Sequence, residues 1–243
     1  MNILITCANS PVIIDVLTCV RKIPGVSKVY LVDSEPIDFG HGCQILSPIP
    51  RGDDINFCES IRAILINHQI DYMFIGSDEE ALSLSFHTWA INKSHLDKAS
   101  NVEMVLNKLK LHQIIEQEVG KGAVPFYAQL SKIKDLAHCV NAYGSLVVRP
   151  ISGRGSRGLI HVTSDIFDEN YPYTVNVKQF TPPMNSDEYF VAEYLSGNKY
   201  SADCIFDDGE VCSMIIRNNG ENIKFKPPTM KAYACEDEFV YKF

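Results

Sequence analysis

Residues 145–159 read SLVVRPISGRGSRGL, and this stretch decides the fold. The apolar run at 146–148, bounded by Gly144 and Pro150, predicts a short buried strand that Arg149 closes. A polar loop follows, and its residues are Ser152, Gly153, Arg154, Gly155, Ser156, Arg157 and Gly158. Such glycines let backbone N–H groups turn toward one point, while hydroxyl and guanidinium groups add donors and positive charge. The loop suits a polyphosphate, although taken alone it is slightly more typical of a flexible surface turn.

The composition limits the class of protein. With 243 residues, of which 46% are apolar and 21% charged, the chain can bury a core and form two modest domains. Its formal net charge of -8 argues against nucleic-acid binding and against docking on anionic membranes, whereas local basic clusters fit a small anionic ligand. The sequence shows no leader and no apolar run of membrane length. We therefore expect a cytoplasmic protein whose scattered cysteines are reduced.

The first hundred residues predict a parallel α/β domain. The predicted elements are strands at 2–6, 29–32 and 72–76 and helices at 11–20 and 55–68. This order opens with a βαβ unit, which requires a right-handed crossover. The first turn, at 7–11, contains no glycine, and this disfavours a nicotinamide-dependent oxidoreductase. Ser77 and the acidic residues 78–80 are explained as a capped helix start, with a metal site as the alternative.

The second part of the chain predicts antiparallel strands. The predicted elements are helices at 102–118 and 133–142 and strands at 146–149, 159–162, 189–195, 199–206 and 211–216. The glycine-rich loop then joins two antiparallel strands. The turn Asp207-Asp208-Gly209 between two apolar runs is a strong hairpin signal. The segment at 224–231 is too rich in proline for a central strand.

Several separated segments together resemble the ATP-grasp superfamily, in particular the carboxylate–amine ligases similar to carbamoyl-phosphate synthase, which include the pyrrolysine-biosynthesis ligase. The segments are the glycine-free βαβ start, LNKLKLHQIIEQEVGKGAVP at 106–125, SLVVRPISGRGSRGL, and FVAEYLSGNKYSADCIFDDGEV at 190–211. The resemblance implies a Rossmann-like pre-ATP-grasp domain with a parallel sheet at 1–100. An incomplete α+β ATP-grasp domain with antiparallel strands would follow at 101–243, with a lid subdomain at about 101–190 and the start of a C-terminal subdomain at 191–243.

The resemblance also implies which residues contact the phosphates of ATP. Lys108 and Arg149 stand at the positions of two phosphate-binding residues, although Asn107 replaces the usual aspartate before the lysine. The loop at 152–158 resembles the flexible phosphate lid. Arg217 resembles an arginine that faces the acyl phosphate, so Arg149 and Arg217 are the expected catalytic residues.

The implied adenosine contacts lie further along the chain. Glu193, Tyr194 and Leu195 resemble the hinge that receives the adenine edge through backbone hydrogen bonds. Lys199 occupies the position at which the family commonly has an acidic ligand of the ribose. Transfer of the terminal phosphoryl group needs positive charge around its oxygens, which the lysine, the arginine and the lid would supply.

The implied reaction uses ATP to convert a carboxylate into an acyl phosphate, which an amine then attacks. Its expected cofactors are ATP and Mg²⁺, and its expected partners are a small carboxylate and amine, with a complementing chain or a second copy as a further partner. The family's metal-binding E-x-N segment is not found after Glu193, and the adjacent pair Glu221-Asn222 would face opposite sides of a strand. The metal ligands are therefore unknown. We expect a C-terminally truncated ligase, with a non-catalytic or partner-dependent nucleotide-binding module as the alternative.

Overall fold

A computed structural model of the chain describes residues 1–38, 40–46, 48–153, 158–164, 173–221 and 233–234. The chain divides into two compact units, Met1–Asn107 and Lys108–Phe243. Within the described residues, no helix is both long enough and apolar enough to cross a membrane.

The first unit is built on a parallel sheet. Its strands are β1 (Asn2–Ile5), β2 (Lys28–Leu31), β3 (Gln44–Ile45) and β4 (Tyr72–Phe74), in the order β3-β2-β1-β4. Both neighbours of β1 run parallel to it. The parallel α/β fold class predicted from the sequence is thus confirmed.

Helices cover both faces of this sheet. Helix α1 (Ile13–Val20) covers one face, and α2 (Phe57–Asn67), α3 (Asp78–Ser85) and α4 (Thr88–Ile91) cover the other, whereas α5 (Ala99–Leu106) packs beside α3. Leu4 packs in one apolar cluster with residues of α2 and α3, whereas Ile3 and Ile5 pack in a second cluster with residues of α1. Successive side chains of β1 therefore lie on opposite faces of the sheet. Because both faces are covered, β1 needs apolar residues at nearly every position, as its sequence has.

The start of α3 is tied to the end of β1. The Ser77 hydroxyl accepts a hydrogen bond from the Glu80 N–H at 3.3 Å, which confirms the predicted helix cap. The Glu80 side chain turns inward and is only 6% exposed. Its carboxyl accepts a hydrogen bond of 2.6 Å from the Thr6 hydroxyl, which in turn accepts the Gly76 N–H at 3.0 Å. Three consecutive acidic residues therefore include one that belongs to the core.

The second unit contains a five-stranded mixed sheet. Its strands are β5 (Tyr127–Gln129), β6 (Leu146–Pro150), β7 (Ile160–Thr163), β8 (Thr174–Asn176) and β9 (Tyr189–Glu193), in the order β5-β9-β6-β7-β8. Strands β6 and β7 are antiparallel, as the sequence predicts, and β7 and β8 are parallel. One face packs against helix α7 (Leu136–Tyr143) through a core that includes Leu146, Val148 and Val191.

The predicted hairpin is also confirmed. Strands β10 (Asn198–Asp207) and β11 (Glu210–Glu221) are antiparallel and are joined by a two-residue turn, and β12 (Tyr233–Ala234) pairs with β11. Asp208 and Gly209 have φ values of 48° and 85°. Both turn residues therefore have the positive φ that a type I′ turn requires, which explains the Asp-Gly sequence.

The predicted helix at 102–118 is wrong in one respect, because the structure contains two helices. Helix α5 ends at Leu106, and helix α6 (Lys108–Glu118) begins after Asn107, whose backbone is extended with φ -87° and ψ 97°. The N–H of Lys108 donates 3.0 Å to the carbonyl of Ile151 instead of continuing the first helix. A long-range backbone hydrogen bond thus overrides the local helical pattern. The segment at 224–231 lies outside the described residues.

Burial raises the pKa of Glu80 above its ordinary value of 4.5, and nearby Asp33 raises it further. The folded protein therefore holds this proton to a higher pH than the unfolded chain does. The free energy of unfolding should fall as the pH rises from 4.5 through the folded-state pKa. In Glu80→Gln, whose amide oxygen can still accept from Thr6, this fall should be absent. Urea unfolding followed by circular dichroism at several pH values measures the difference.

The exposed Glu59 on α2 provides a matched control. Glu59→Gln should keep the pH dependence of the wild type. A pH profile of Glu80→Gln that runs parallel to that of the wild type would show that Glu80 ionises normally in the folded protein.

Candidate functional site

The candidate site lies on the sheet face opposite the α7 core. Arg149 pairs with Phe190 across β6 and β9, and Val147 pairs with both His161 and Ala192. Because alternate residues of a strand share a face, these five side chains lie on the same side of the sheet. We call this surface the arginine face. Phe190 and Ala192 are buried, whereas Arg149 is half-buried, so its guanidinium is the charged group of this face that an anionic ligand can reach.

Arg149 is the charged group at the centre of the arginine face. Its side chain is half-buried, and its Cζ lies 5.9 Å from the centroid of the Phe190 ring. Burial lowers the pKa of the guanidinium below its ordinary value, although arginine remains protonated in proteins. Among the described residues, its guanidinium has neither a hydrogen-bond partner nor an ion-pair partner. A partly desolvated charge without a carboxylate is costly, and such groups concentrate at functional sites.

The structure brings Lys108 to the start of the predicted lid. Lys108 is the first residue of α6, and its Nζ donates to the carbonyl of Gly153. Gly153 has a φ of 119°, which only glycine adopts without strain. At the far end of the loop, a Cβ on Gly158 would lie 3.0 Å from Pro150. The loop residues Arg154, Gly155, Ser156 and Arg157 lie outside the described part of the chain, while Ser152 is exposed.

The predicted hinge follows directly from β9. The N–H of Glu193 donates 2.8 Å to the carbonyl of Phe126, and the N–H of Tyr194 donates 2.9 Å to Ser145. The Glu193 carboxylate accepts the N–H of Phe126 at 3.4 Å, so this side chain holds β9 to the start of β5. Within the described residues, Leu195 is the first hinge residue whose N–H makes no backbone hydrogen bond. Its side chain is 57% exposed.

Arg217 and Lys199 lie on the hairpin. Arg217 forms a two-point hydrogen bond with Asp203 on the facing strand, with Nη2 to Oδ1 at 2.9 Å and a second contact from Nε to Oδ2. This hydrogen bond raises the pKa of Arg217. An arginine engaged in this way must leave its partner before it can bind another anion, and its catalytic role remains a prediction. Lys199 is part of β10, and its side chain lies outside the described part.

Sequence reasoning missed a row of rings next to Arg149. His112 on α6 lies 5.4 Å from the Phe190 ring and 5.2 Å from the Tyr127 ring, measured between centroids. The Tyr127 hydroxyl donates 2.6 Å to Glu116, and burial together with this bond raises the pKa of Tyr127 to about 12. The i, i+4 spacing of Lys108 and His112 hints at a contact within the helix. Nothing in the local sequence indicates that His112 contacts Phe190.

Metal-ligating side chains do not cluster within the described residues. These residues contain no group of three or more His, Cys, Asp or Glu side chains that could hold a metal ion. Glu221 ends β11, whereas its neighbour Asn222 lies outside the described part. No step of a reaction is therefore routed through a metal held by these residues.

Comparison with known proteins identifies the fold. The sequence matches no protein-family model and no curated protein. The structure is similar to the L-amino acid ligase from Bacillus licheniformis, with a TM-score of 0.61 and 18% identity over 99% of this chain and 56% of that one. It is also similar to N5-carboxyaminoimidazole ribonucleotide synthetase from Thermotoga maritima, with a TM-score of 0.58 and 16% identity over 89% of this chain and 53% of that one.

A third similar structure contains nucleotide. The biotin carboxylase domain of the Hydrogenobacter thermophilus 2-oxoglutarate carboxylase, in complex with MgADP, ADP and bicarbonate, has a TM-score of 0.59 and 13% identity over 90% of this chain and 50% of that one. The chain spans about half the length of these structures. The protein is thus of the α/β class with two units, and its fold is that of the ATP-grasp superfamily, as the sequence predicted.

The unpaired charge of Arg149 has a consequence for stability. Replacing it with methionine removes a partly desolvated cation and leaves an apolar side chain that can still contact Phe190. We expect the free energy of unfolding of Arg149→Met to be unchanged or higher by about 1 kcal/mol. Arg217→Met, which breaks an exposed ion pair, should lose at most about 1 kcal/mol. Urea unfolding measures both, and a loss above about 2 kcal/mol in Arg149→Met would show that Arg149 has a structural role.

Proposed function

We propose that the chain binds ATP on the arginine face, with Arg149 and Lys108 contacting the phosphates, and that it joins a carboxylate to an amine through an acyl phosphate. The observation that carries this proposal is the half-buried Arg149 guanidinium, which has no carboxylate partner among the described residues and lies beside the start of the glycine-rich loop. The fold supports it, because the similar structures include an L-amino acid ligase and a MgADP complex.

Each group then has a defined task. Arg149 and Lys108 supply positive charge to the oxygens of the transferred phosphoryl group, which lowers the barrier by electrostatic stabilisation. The loop at 152–158 closes over the phosphates and keeps water from the acyl phosphate. The N–H of Leu195 donates to the adenine edge, because the N–H groups of Glu193 and Tyr194 already donate within the sheet. The carboxylate oxygen attacks the terminal phosphorus, ADP leaves, and the amine then displaces phosphate.

Isothermal titration with ATP and with AMP tests the binding step. The wild type should bind ATP, and Arg149→Met should bind it about 10- to 100-fold more weakly, since a charge-assisted contact with phosphate is lost. AMP lacks the terminal phosphates, so the wild type and Arg149→Met should bind AMP with similar affinities. Arg62→Met changes an exposed arginine on α2, so it serves as the control and should bind ATP as the wild type does. Equal ATP affinities in the wild type and Arg149→Met would contradict the proposed site.

Turnover tests the catalytic step. ADP release should require magnesium, and a carboxylate should stimulate it when an amine is present. Tight ATP binding without turnover on a broad panel of carboxylates and amines would contradict the ligase proposal and leave the binding site intact.

The alternative is a nucleotide-binding module that another polypeptide segment completes. It is favoured by the β10–β11 hairpin, where Phe206 and Val211 are exposed on one face and Ile205 and Ile215 on the other. Apart from the pairing of β12 with Arg217 and Asn218, the hairpin is a two-stranded ribbon, which is marginally stable alone. Apolar side chains exposed on both of its faces are typical of a surface that a further layer covers. ATP binding with the same affinity in the presence and absence of magnesium would favour this alternative over the ligase.

A further inference from the structure

The guanidinium of Arg149 lies at one end of a row of three rings. Its Cζ is 5.9 Å from the centroid of Phe190, which is 1% exposed. The Phe190 ring lies 5.4 Å from the His112 ring at an interplanar angle of 59°, and His112 lies 5.2 Å from Tyr127. The row runs from Phe190 on β9 through His112 on α6 to Tyr127 on the edge strand β5. A cation over an aromatic face is attracted by the ring quadrupole, so the position of Phe190 directs Arg149.

His112 also contacts the backbone of Lys108, the second cation of the proposed site. Its Nδ1 lies 2.7 Å from the carbonyl oxygen of Lys108, one helical turn earlier. A carbonyl can only accept a hydrogen bond, so Nδ1 carries the proton and the ring orientation is fixed. The N–H of Lys108 donates to Ile151, and its Nζ donates to Gly153. One imidazole therefore contacts the ring beneath Arg149 and the first residue of α6.

Arg149 and Lys108 need contacts that hold their side chains in place. Arginine and lysine side chains have many rotamers, and ordering them costs conformational entropy when a ligand binds. Among the described residues, Arg149 has no carboxylate that would fix its guanidinium. Contacts that hold both groups before the ligand arrives remove part of this cost, which is how preorganised sites gain affinity.

We propose that His112 is a positioning residue that holds Arg149, through Phe190, and Lys108 at the spacing required by one polyphosphate. This inference rests on the proposed ATP site and adds to it a residue that does not touch the nucleotide. The ring of His112 sets the tilt of Phe190, and its Nδ1–H keeps the first turn of α6 in place. Removal of the imidazole should therefore weaken phosphate binding without changing adenosine binding.

The test compares ATP and adenosine affinities by isothermal titration in three variants. His112→Ala should bind ATP about tenfold more weakly, because both cations lose their support. His112→Phe keeps the row of rings but lacks the Nδ1–H that bonds to Lys108, so its ATP affinity should lie between those of His112→Ala and the wild type. His138→Ala removes an exposed histidine from α7 and should bind ATP as the wild type does. Adenosine affinity should be equal in all four proteins.

Two results would overturn the proposal. One is a parallel loss of ATP and adenosine affinity in His112→Ala, which would indicate a general structural role. The other is an ATP affinity of His112→Ala equal to that of the wild type.

A second readout does not depend on nucleotide. The Nε–Hε resonance of Arg149 in a ¹⁵N spectrum should move in His112→Ala and stay in place in His112→Phe. If the wild type binds neither ATP nor adenosine, the proposed function is wrong. The resonance then tests by itself whether His112 positions Arg149. An unchanged resonance in His112→Ala would overturn the proposal.

Discussion

The hydrogen bond from the N–H of Lys108 to the carbonyl of Ile151 is the contact on which the candidate site depends. It joins residues 43 positions apart in sequence, the start of α6 and the end of β6, and it brings a lysine to the first residues of the glycine-rich loop. The same contact ends α5, because Asn107 must take an extended backbone for Lys108 to reach β6. A break in what would otherwise be one long helix is therefore the feature that assembles the site.

Strands and turns were predictable where local chemistry determines them. The apolar run before Arg149, the Asp208-Gly209 turn and the Ser77 cap each follow from backbone preferences that neighbouring residues satisfy. The break at Asn107 was not predictable, because the periodicity of apolar residues continues through it. The burial of Glu80 was also missed, because an acidic residue in the first turn of a helix is ordinarily exposed. Its partner Thr6 directly follows β1, and nothing in the local sequence joins the two residues.

The residues of the candidate site were also predictable from the sequence only in part. Lys108, Arg149 and the loop at 152–158 were named from separated sequence segments, and the structure brings Lys108 and the start of this loop together. The support beneath them was not named, because His112 and Phe190 meet only when α6 packs on the sheet. The structure also gives Glu193 a role that the sequence did not indicate, since its carboxylate bonds to the backbone of Phe126. Phosphate-binding residues are visible as motifs, whereas the residues that orient them depend on tertiary packing.

The hinge has a consequence for how this protein can diverge. At Leu195 the group available to a nucleotide is the main-chain N–H, and the side chain points largely into solvent. A main-chain donor is the same for every amino acid except proline, so mutation of this residue leaves the proposed base contact unchanged. Position 195 can then change while the proposed recognition chemistry persists.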